Sequence, residues 1–231
     1  MKLNVRYEDN HLLIVDKPVN IPVQADASKD LDLLTMAKTY IKEKYNKPGQ
    51  VYLGLVHRLD RPVGGAIVFA RTSKAASRLA DQLRRHKIDR KYLAICRGHL
   101  TADSGHLVDF LYKDRRKNIS YVVDANHDQA KKAILSYQVI ASQSDLSLVK
   151  VALETGRSHQ IRLQLANQDC PLYGDQKYGQ AVNQPGQQIA LWAYHLSLTH
   201  PTTKERIQVT SLPDLTTNPW QQFDIASLDL T

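Results

Sequence analysis

The amino-acid sequence predicts an α+β protein built on a mixed, largely antiparallel sheet with flanking helices. Segments with the short or alternating apolar pattern of strands outnumber those with helical periodicity. Short polar turns separate many predicted strands, and such turns join antiparallel neighbours, because parallel neighbours need a long crossover connection. The 231 residues suffice for one large domain or for two small ones that share a core.

Three segments carry apolar residues at helical spacing, and we predict helices at 30–45, at 73–87 and from Gly156 to about Asn167. The other apolar runs are short or alternate with polar residues. They predict strands at 12–15, 51–56, 66–70, 92–96, 106–112, 119–123, 133–140, 146–153, 189–198 and 206–209. The stretch after Asp214 has weak periodicity and is expected to be loosely held.

The composition is typical of a globular protein, with 42% hydrophobic and 23% charged residues. No apolar run approaches the roughly 20 residues of a membrane span, and the first residues are too polar for a signal peptide. Cys96 and Cys170 form no metal-type pair, so we expect reduced thiols and a cytoplasmic location. The nine histidines lack the spacing of a metal motif, and no metal site is predicted.

The net charge of +8 is the strongest compositional hint about a partner. Proteins of this charge are attracted to the phosphate backbone of nucleic acids through counterion release. A basic surface that only aids solubility would give the same composition. Charge therefore favours a nucleic-acid partner only slightly.

A charged loop with a glycine pair, from His57 to Gly65, lies between the predicted strands 51–56 and 66–70. Within it Asp60 follows Arg58 by two residues and precedes Arg61, and nearby cations favour the ionised form of a carboxylate. An ionised carboxylate can act as a nucleophile or as a base. From spacing alone, a surface ion-pair cluster in a turn is the simpler interpretation.

The loop is one of several segments that together resemble the RluA-type RNA pseudouridine synthases. The segment 57–65 (HRLDRPVGG), followed by 66–72 (AIVFART), resembles the signature of that family. The other matching segments follow in the expected order: 15–18 (VDKP), 90–95 (RKYLAI), 156–162 (GRSHQIR), Gly174-Asp175 with Tyr178-Gly179, and His200-Pro201. The resemblance runs from about Tyr7 to about Pro213, and its specificity comes from the ordered set.

The resemblance implies an enzyme that breaks the glycosidic bond of a uridine in RNA, turns the base and rejoins it through carbon. It implies no cofactor and no metal, and two lobes around a central catalytic cleft. Asp60 matches the catalytic aspartate, which acts as nucleophile or base at the sugar. The target base must leave its stack, and Arg58 matches the arginine that fills the gap.

Tyr92 and Arg162 match the two other catalytic positions. The tyrosine could stack on the uracil and assist proton transfer, although a core strand tyrosine explains its pattern as well. The arginine is expected to pair with the catalytic aspartate, although spacing alone favours a cation on a helix surface. We expect the following residues around the substrate: His57, Arg61, His159, Gln160 and Ile161. Of these, His57 is expected to shape the loop, and His159 and Gln160 are expected to play a supporting role. Candidate contacts to the RNA backbone are Arg84, Arg85, Lys87, Arg90 and Lys91.

We expect a catalytic domain at 1–213 and a C-terminal tail at 214–231. Many relatives carry an S4 RNA-binding module in front of this domain, and we expect none here because the pattern begins within the first ten residues. Val63 and Gly64 replace the threonine and serine of many members, so hydrogen bonding in the loop must differ. The expected partner is structured ribosomal or transfer RNA, bound by a monomer, with no membrane involved.

Two alternative functions are compatible with parts of the sequence. A catalytically silent RNA-binding or RNA-chaperone protein could share the fold, although the presence of all the motif residues argues against it. A hydrolase that releases the free base would be expected to pair two carboxylates across the bond, and no partner acid for Asp60 is evident in the sequence.

Overall fold

The computed structural model describes residues 3–228 and residue 230. The chain forms two compact units. The first contains the chain up to Asp89 together with Ala193–Ser211, and the second contains Arg90–Trp192 and the chain from Leu212 onward. In the described part of the chain, no helix is long and apolar enough to cross a membrane.

Strands dominate both units, as the sequence predicts. The eleven strands among the described residues are β1 (Asn4–Glu8), β2 (Leu12–Lys17), β3 (Gly54–Leu55), β4 (Gly64–Ala70), β5 (Asp89–Arg97), β6 (Ser104–Asp114), β7 (Ile119–Val123), β8 (Lys131–Gln143), β9 (Leu146–Leu153), β10 (Leu191–Thr199) and β11 (Arg206–Thr210). The α-helices there are α1 (Leu33–Lys44), α2 (Ser73–Arg84) and α3 (Gln160–Ala166), and two short 3-10 helices follow at Trp220–Gln222 and Ile225–Ser227.

In the first unit the strands lie in the order β1-β2-β4-β10, with β11 beside β10 and β3 beside β4. Every residue of β2 and β4 is buried, which fits two apolar runs that are covered on both faces. The two strands are antiparallel, with Leu12 opposite Ala70 and Lys17 opposite Gly65. Helix α2 places Ala75 and Leu79 in the core that these strands form.

In the second unit the strands lie in the order β5-β9-β8-β6-β7, and every neighbouring pair is antiparallel. Paired residues in neighbouring strands project from the same face of a sheet. Tyr92 pairs with Val151, which in turn pairs with Tyr137, so these three share one face. Helix α3 lies against β6 and β7.

The predicted strands 119–123 and 146–153 have the observed bounds, whereas other elements differ for local reasons. The predicted strand 51–56 is reduced to β3, because β2 occupies one edge of β4 and β10 shares the other. Helix α2 ends before 87 because His86 takes a left-handed conformation, with φ at 54°. A left-handed His159 likewise delays α3 to Gln160.

The sequence missed β1 and underestimated the order of the chain after Asp214. Strand β1 alternates between exposed and half-buried residues and so lacks an apolar signal. In the stretch after Asp214, the side chains of Trp220, Phe223 and Ile225 are buried, although their spacing fits neither a helix nor a strand. The prediction that this stretch is loosely held was therefore wrong for its described residues.

Gly65 opens β4 at a point where only a glycine fits. Its φ is +116°, and a Cβ there would lie 2.3 Å from the carbonyl oxygen and 2.6 Å from the amide nitrogen of Ala193. Backbone atoms cannot move aside as a flexible side chain can, and this φ is unfavourable for any other residue. The glycine therefore allows β4 and β10 to meet directly behind the loop that carries Asp60.

We predict that Gly65→Ala lowers the free energy of unfolding by about 2–4 kcal/mol, because it adds a steric clash to a strained backbone. Urea denaturation followed by circular dichroism measures the change. Gly49→Ala is the matched control, since a Cβ at Gly49 would meet nothing within 4 Å. Equal stability of the two variants would contradict the assignment of Gly65 as a packing constraint.

Candidate active site

Asp60 lies in a loop of the first unit that is anchored on both sides by buried side chains. Leu59 and Val63 are buried, whereas Asp60 is partly exposed and Arg58 is exposed. The amide of Val63 donates a hydrogen bond to the carbonyl oxygen of Asp60 at 3.0 Å, which closes a tight turn. The loop therefore presents the carboxylate from a fixed backbone.

Lys17, at the end of β2, is fully buried and binds the backbone of this loop. Its Nζ donates hydrogen bonds to the carbonyl oxygens of Pro18 at 2.9 Å, Ile21 at 2.6 Å and Arg61 at 2.8 Å. Burial lowers the pKa of Lys17 to about 7, and the nearby charge of Asp60 opposes that effect. The lysine-proline motif by itself did not indicate that this ammonium group reaches the Asp60 loop.

Arg61, the residue after Asp60, contacts another segment of the first unit. Its guanidinium turns toward the segment 20–30, where Nε donates to the carbonyl oxygen of Asn20 at 3.1 Å and Nη1 donates to Ser28 Oγ at 3.0 Å. An ion pair with Asp30 completes the contact, and the hydrogen bond from Arg61 lowers the pKa of Asp30. The arginine thus ties the loop to that segment, and this geometry favours a structural role over contact with the substrate.

His57 is buried at the start of the same loop. Its Nε2 accepts a hydrogen bond from the amide of Val68, in β4, at 3.3 Å. An accepting Nε2 places the proton of a neutral imidazole on Nδ1. The contact joins the loop to the buried strand, which agrees with a residue that shapes the loop.

In the second unit Arg162 forms a bidentate ion pair with Asp175. Nε donates to Oδ2 and Nη2 to Oδ1, both at 2.8 Å, and both side chains are almost completely buried. Burial alone would raise the pKa of Asp175, but hydrogen bonds from Arg162 and from the amides of Lys177 and Tyr178 outweigh it and lower that pKa. The sequence did not predict this partner; the Gly174-Asp175 match was the available signal.

Tyr178 packs on Arg162 and is itself contacted by His159. The guanidinium carbon of Arg162 lies 5.3 Å from the centre of the Tyr178 ring, within the range of a cation–π contact. The Tyr178 hydroxyl accepts from the amide of Ser120 at 2.8 Å and lies 2.7 Å from His159 Nδ1. Burial raises the pKa of Tyr178. His159 is itself buried, so its position favours contact with the Tyr178 hydroxyl over contact with a substrate.

Gln160 and Ile161 are buried in the second unit. The Gln160 side-chain oxygen accepts from Thr155 Oγ1 at 2.8 Å and from the amide of Arg157 at 2.9 Å. Its amide nitrogen donates to the carbonyl oxygen of Ile134 at 3.0 Å. Because these bonds occupy the amide group, the geometry favours a supporting role for Gln160 over direct contact with the substrate.

Tyr92 is buried in β5, on the face that it shares with Val151 and Tyr137. The five basic residues predicted to contact the RNA backbone fall into different environments. Arg84, Arg85 and Lys87 are exposed at and beyond the end of α2, whereas Arg90 is buried and Lys91 is half-buried. Residues alternate between faces along a strand, so Lys91 lies on the face opposite to Tyr92.

The predicted site residues therefore fall into two sets. His57, Arg58, Asp60 and Arg61 belong to the first unit, together with Lys17. The set in the second unit is Tyr92, His159, Gln160, Ile161 and Arg162. In the described part of the chain, no group of three or more His, Cys, Asp or Glu side chains could hold a metal ion.

Comparison with known proteins gives the same family from independent matches. Residues 11–167 match the RNA pseudouridylate synthase family. Ribosomal large subunit pseudouridine synthase D of Zymomonas mobilis is 33% identical over 217 residues, which cover 89% of this chain and 67% of the relative. The uncharacterized RNA pseudouridine synthase YhcT of Bacillus subtilis is 35% identical over 209 residues, with the same two shares.

A transfer-RNA enzyme and a solved structure extend the comparison. The tRNA pseudouridine synthase C of Haemophilus ducreyi is 29% identical over 247 residues, which cover 96% of this chain and 95% of the relative. The structure of human RNA pseudouridylate synthase domain containing 4 has a TM-score of 0.75 at 22% identity and covers 92% of this chain and 89% of its own, so it shares the fold. The sequence matches and the common fold lead to one conclusion: this chain belongs to the RNA pseudouridylate synthase family.

Proposed function

We propose that this protein isomerises specific uridines of ribosomal or transfer RNA to pseudouridine, with Asp60 as the catalytic residue. The observation that carries the proposal is the anchored loop that presents the Asp60 carboxylate. Buried Leu59 and Val63 fix the loop from two sides, and the Lys17 ammonium bonds its backbone at Arg61. A carboxylate held in this way meets its target without a large cost in ordering the loop.

Two steps at the sugar are open to an ionised carboxylate. Asp60 can attack the anomeric carbon as a nucleophile, or it can remove a proton from the sugar as a base. In both cases the bond from the sugar to the base nitrogen breaks and a bond to a base carbon forms. That carbon must then lose its proton. We assign the proton transfer and the stacking on uracil to Tyr92, whose ring and hydroxyl suit both tasks.

Arg58 fits the role of holding open the position from which the base is flipped. Its side chain is exposed, and among the described residues no hydrogen bond or ion pair engages it. A planar guanidinium can stack on the neighbouring bases and also bond a phosphate. Unstacking a base costs a few kcal/mol, which such a side chain would offset in part.

The RNA backbone would contact the exposed cations at the end of α2. Arg84 and Arg85 both pair with Asp81, and these exposed ion pairs are weak enough to give way to a phosphate. Relatives named for ribosomal RNA and for transfer RNA support both substrate classes for this chain. We further propose that residues 1–213 are the catalytic domain and 214–231 a tail, and that the protein acts as a cytoplasmic monomer without a metal.

We predict that Asp60→Asn lowers the rate of pseudouridine formation by at least about a thousandfold, because the amide can neither attack the sugar nor accept a proton. RNA from cells that lack the protein serves as substrate, and mass spectrometry of the digested RNA measures pseudouridine. Asp128→Asn, at an exposed turn residue, is the control. Pseudouridine formation by Asp60→Asn at the rate of the wild type would refute the role of Asp60, and release of free uracil by the wild type would point to a hydrolase.

We predict that Lys17→Met lowers the free energy of unfolding by about 1–3 kcal/mol, because the carbonyl groups that accept from Nζ lose their donor. It should also lower the rate of pseudouridine formation in protein that is still folded, since the loop under Asp60 loses its tether. Thermal unfolding and the mass-spectrometric assay at low temperature separate the two effects. Lys42→Met, on the exposed side of α1, should change neither quantity, and full activity of folded Lys17→Met would show that the tether is dispensable.

A further inference from the structure

Arg90, at the start of β5, is a buried cation without a counter-ion in the part of the chain that the structure describes. Its exposed fraction is 8%, and its Nε is buried without a hydrogen-bond partner. Within the described residues, no ion pair or hydrogen bond joins its guanidinium to another side chain or to the backbone. Burial of an unpaired charge is unfavourable, so a buried guanidinium normally pairs with an anion. Arg162 satisfies that rule through Asp175, and Arg90 does not.

The position of Arg90 relates it to the proposed site. Residues two apart in a strand project from the same face, so Arg90 shares the face of Tyr92, and Lys91 projects from the other. The guanidinium lies over Gly156, in the segment that leads into α3. A Cβ at Gly156 would be 2.6 Å from Nη1 of Arg90. The glycine therefore leaves space for the guanidinium beside an exposed stretch of backbone.

We propose that Arg90 binds a phosphate of the RNA substrate and so positions the target nucleotide at the face that carries Tyr92. The proposal rests on the proposed function and adds a positioning residue to it. A guanidinium bonds phosphate oxygens through two parallel N–H groups, which fixes orientation as well as charge. Arg157, the next residue after Gly156, is exposed, and its positive charge adds to the attraction for an anion. Free phosphate shares this chemistry, so the test must separate the two sources.

Arg90→Met tests the proposal, because methionine retains much of the length of the side chain but has no N–H donor. In phosphate-free buffer, the variant should unfold at the same temperature as the wild type or at a higher one, since an unpaired buried charge is removed. Its Kd for a uridine-containing stem-loop RNA should rise about tenfold, and the slope of log Kd against log salt should fall by about 0.7–0.9. Lys42→Met, which removes an exposed cation from α1, is the control and should retain most of the affinity.

Two further comparisons identify the ligand. The wild type should bind a stem-loop with uncharged methylphosphonate linkages beside the uridine less tightly than it binds the normal RNA. Arg90→Met should bind the two RNAs with the same Kd, because it has already lost the contact to that phosphate. Inorganic phosphate, compared with chloride at equal ionic strength, should raise the unfolding temperature of the wild type more than that of Arg90→Met. Equal stabilisation of both proteins by phosphate, or equal loss of affinity in both with the uncharged linkage, would overturn the proposal.

A purely structural role for Arg90 predicts a different pattern. The variant would then unfold at a lower temperature in phosphate-free buffer while its Kd and salt slope stayed at the wild-type values, and this result would also overturn the proposal. Arg90→Lys, which keeps the charge but not the fork, should have an intermediate Kd with the full salt slope. Binding is measured with Asp60→Asn protein, so that the RNA is not converted during the measurement. If the Arg90 proposal fails, the pseudouridine assay of Asp60 still tests the proposed function separately.

Discussion

The position of the loop that carries Asp60 depends on one buried ammonium group. Lys17 joins the end of β2 to the turn that follows it and to the backbone of the loop that presents Asp60. Three carbonyl acceptors match the three N–H groups of an ammonium ion, and this geometry compensates in part for its burial. The negative charge of the nearby Asp60 carboxylate favours the charged form of Lys17. Lys17 therefore both holds the backbone of the loop and interacts electrostatically with the carboxylate that the loop carries.

Arginines in this protein illustrate how one residue type serves different ends according to its surroundings. Arg61 is exposed and bound to a neighbouring segment, which makes it a tether. Arg162 is buried and paired with Asp175 and packs on the Tyr178 ring, which gives it one orientation. Arg58 is exposed without such contacts among the described residues, and Arg90 is buried without them. These last two retain unused hydrogen-bonding capacity, and for that reason both are proposed to meet the RNA.

The family match and the geometry support different parts of the functional argument. The match shows which family the chain belongs to, and its relatives act, by their names, on ribosomal or transfer RNA. The geometry explains how individual side chains are held, whereas a sequence identity of about one third to the relatives does not. The geometry also shows that residues close together in the sequence have different surroundings. Gln160 and Ile161 are buried in the same motif as Arg162, and Lys91 lies on the face opposite to Arg90.

The sequence by itself determined the class of fold, the family and most of the strands, because period-two alternation and short turns are local properties of the chain. It also pointed to Asp60, Tyr92 and Arg162 through ordered motifs. Only the tertiary structure decided that Arg61 turns away toward Asp30, that Asp175 pairs with Arg162, and that Lys17 reaches the Asp60 loop. These contacts join residues that are far apart in the chain, or choose between directions that neighbouring residues leave equally open, so no local pattern encodes them.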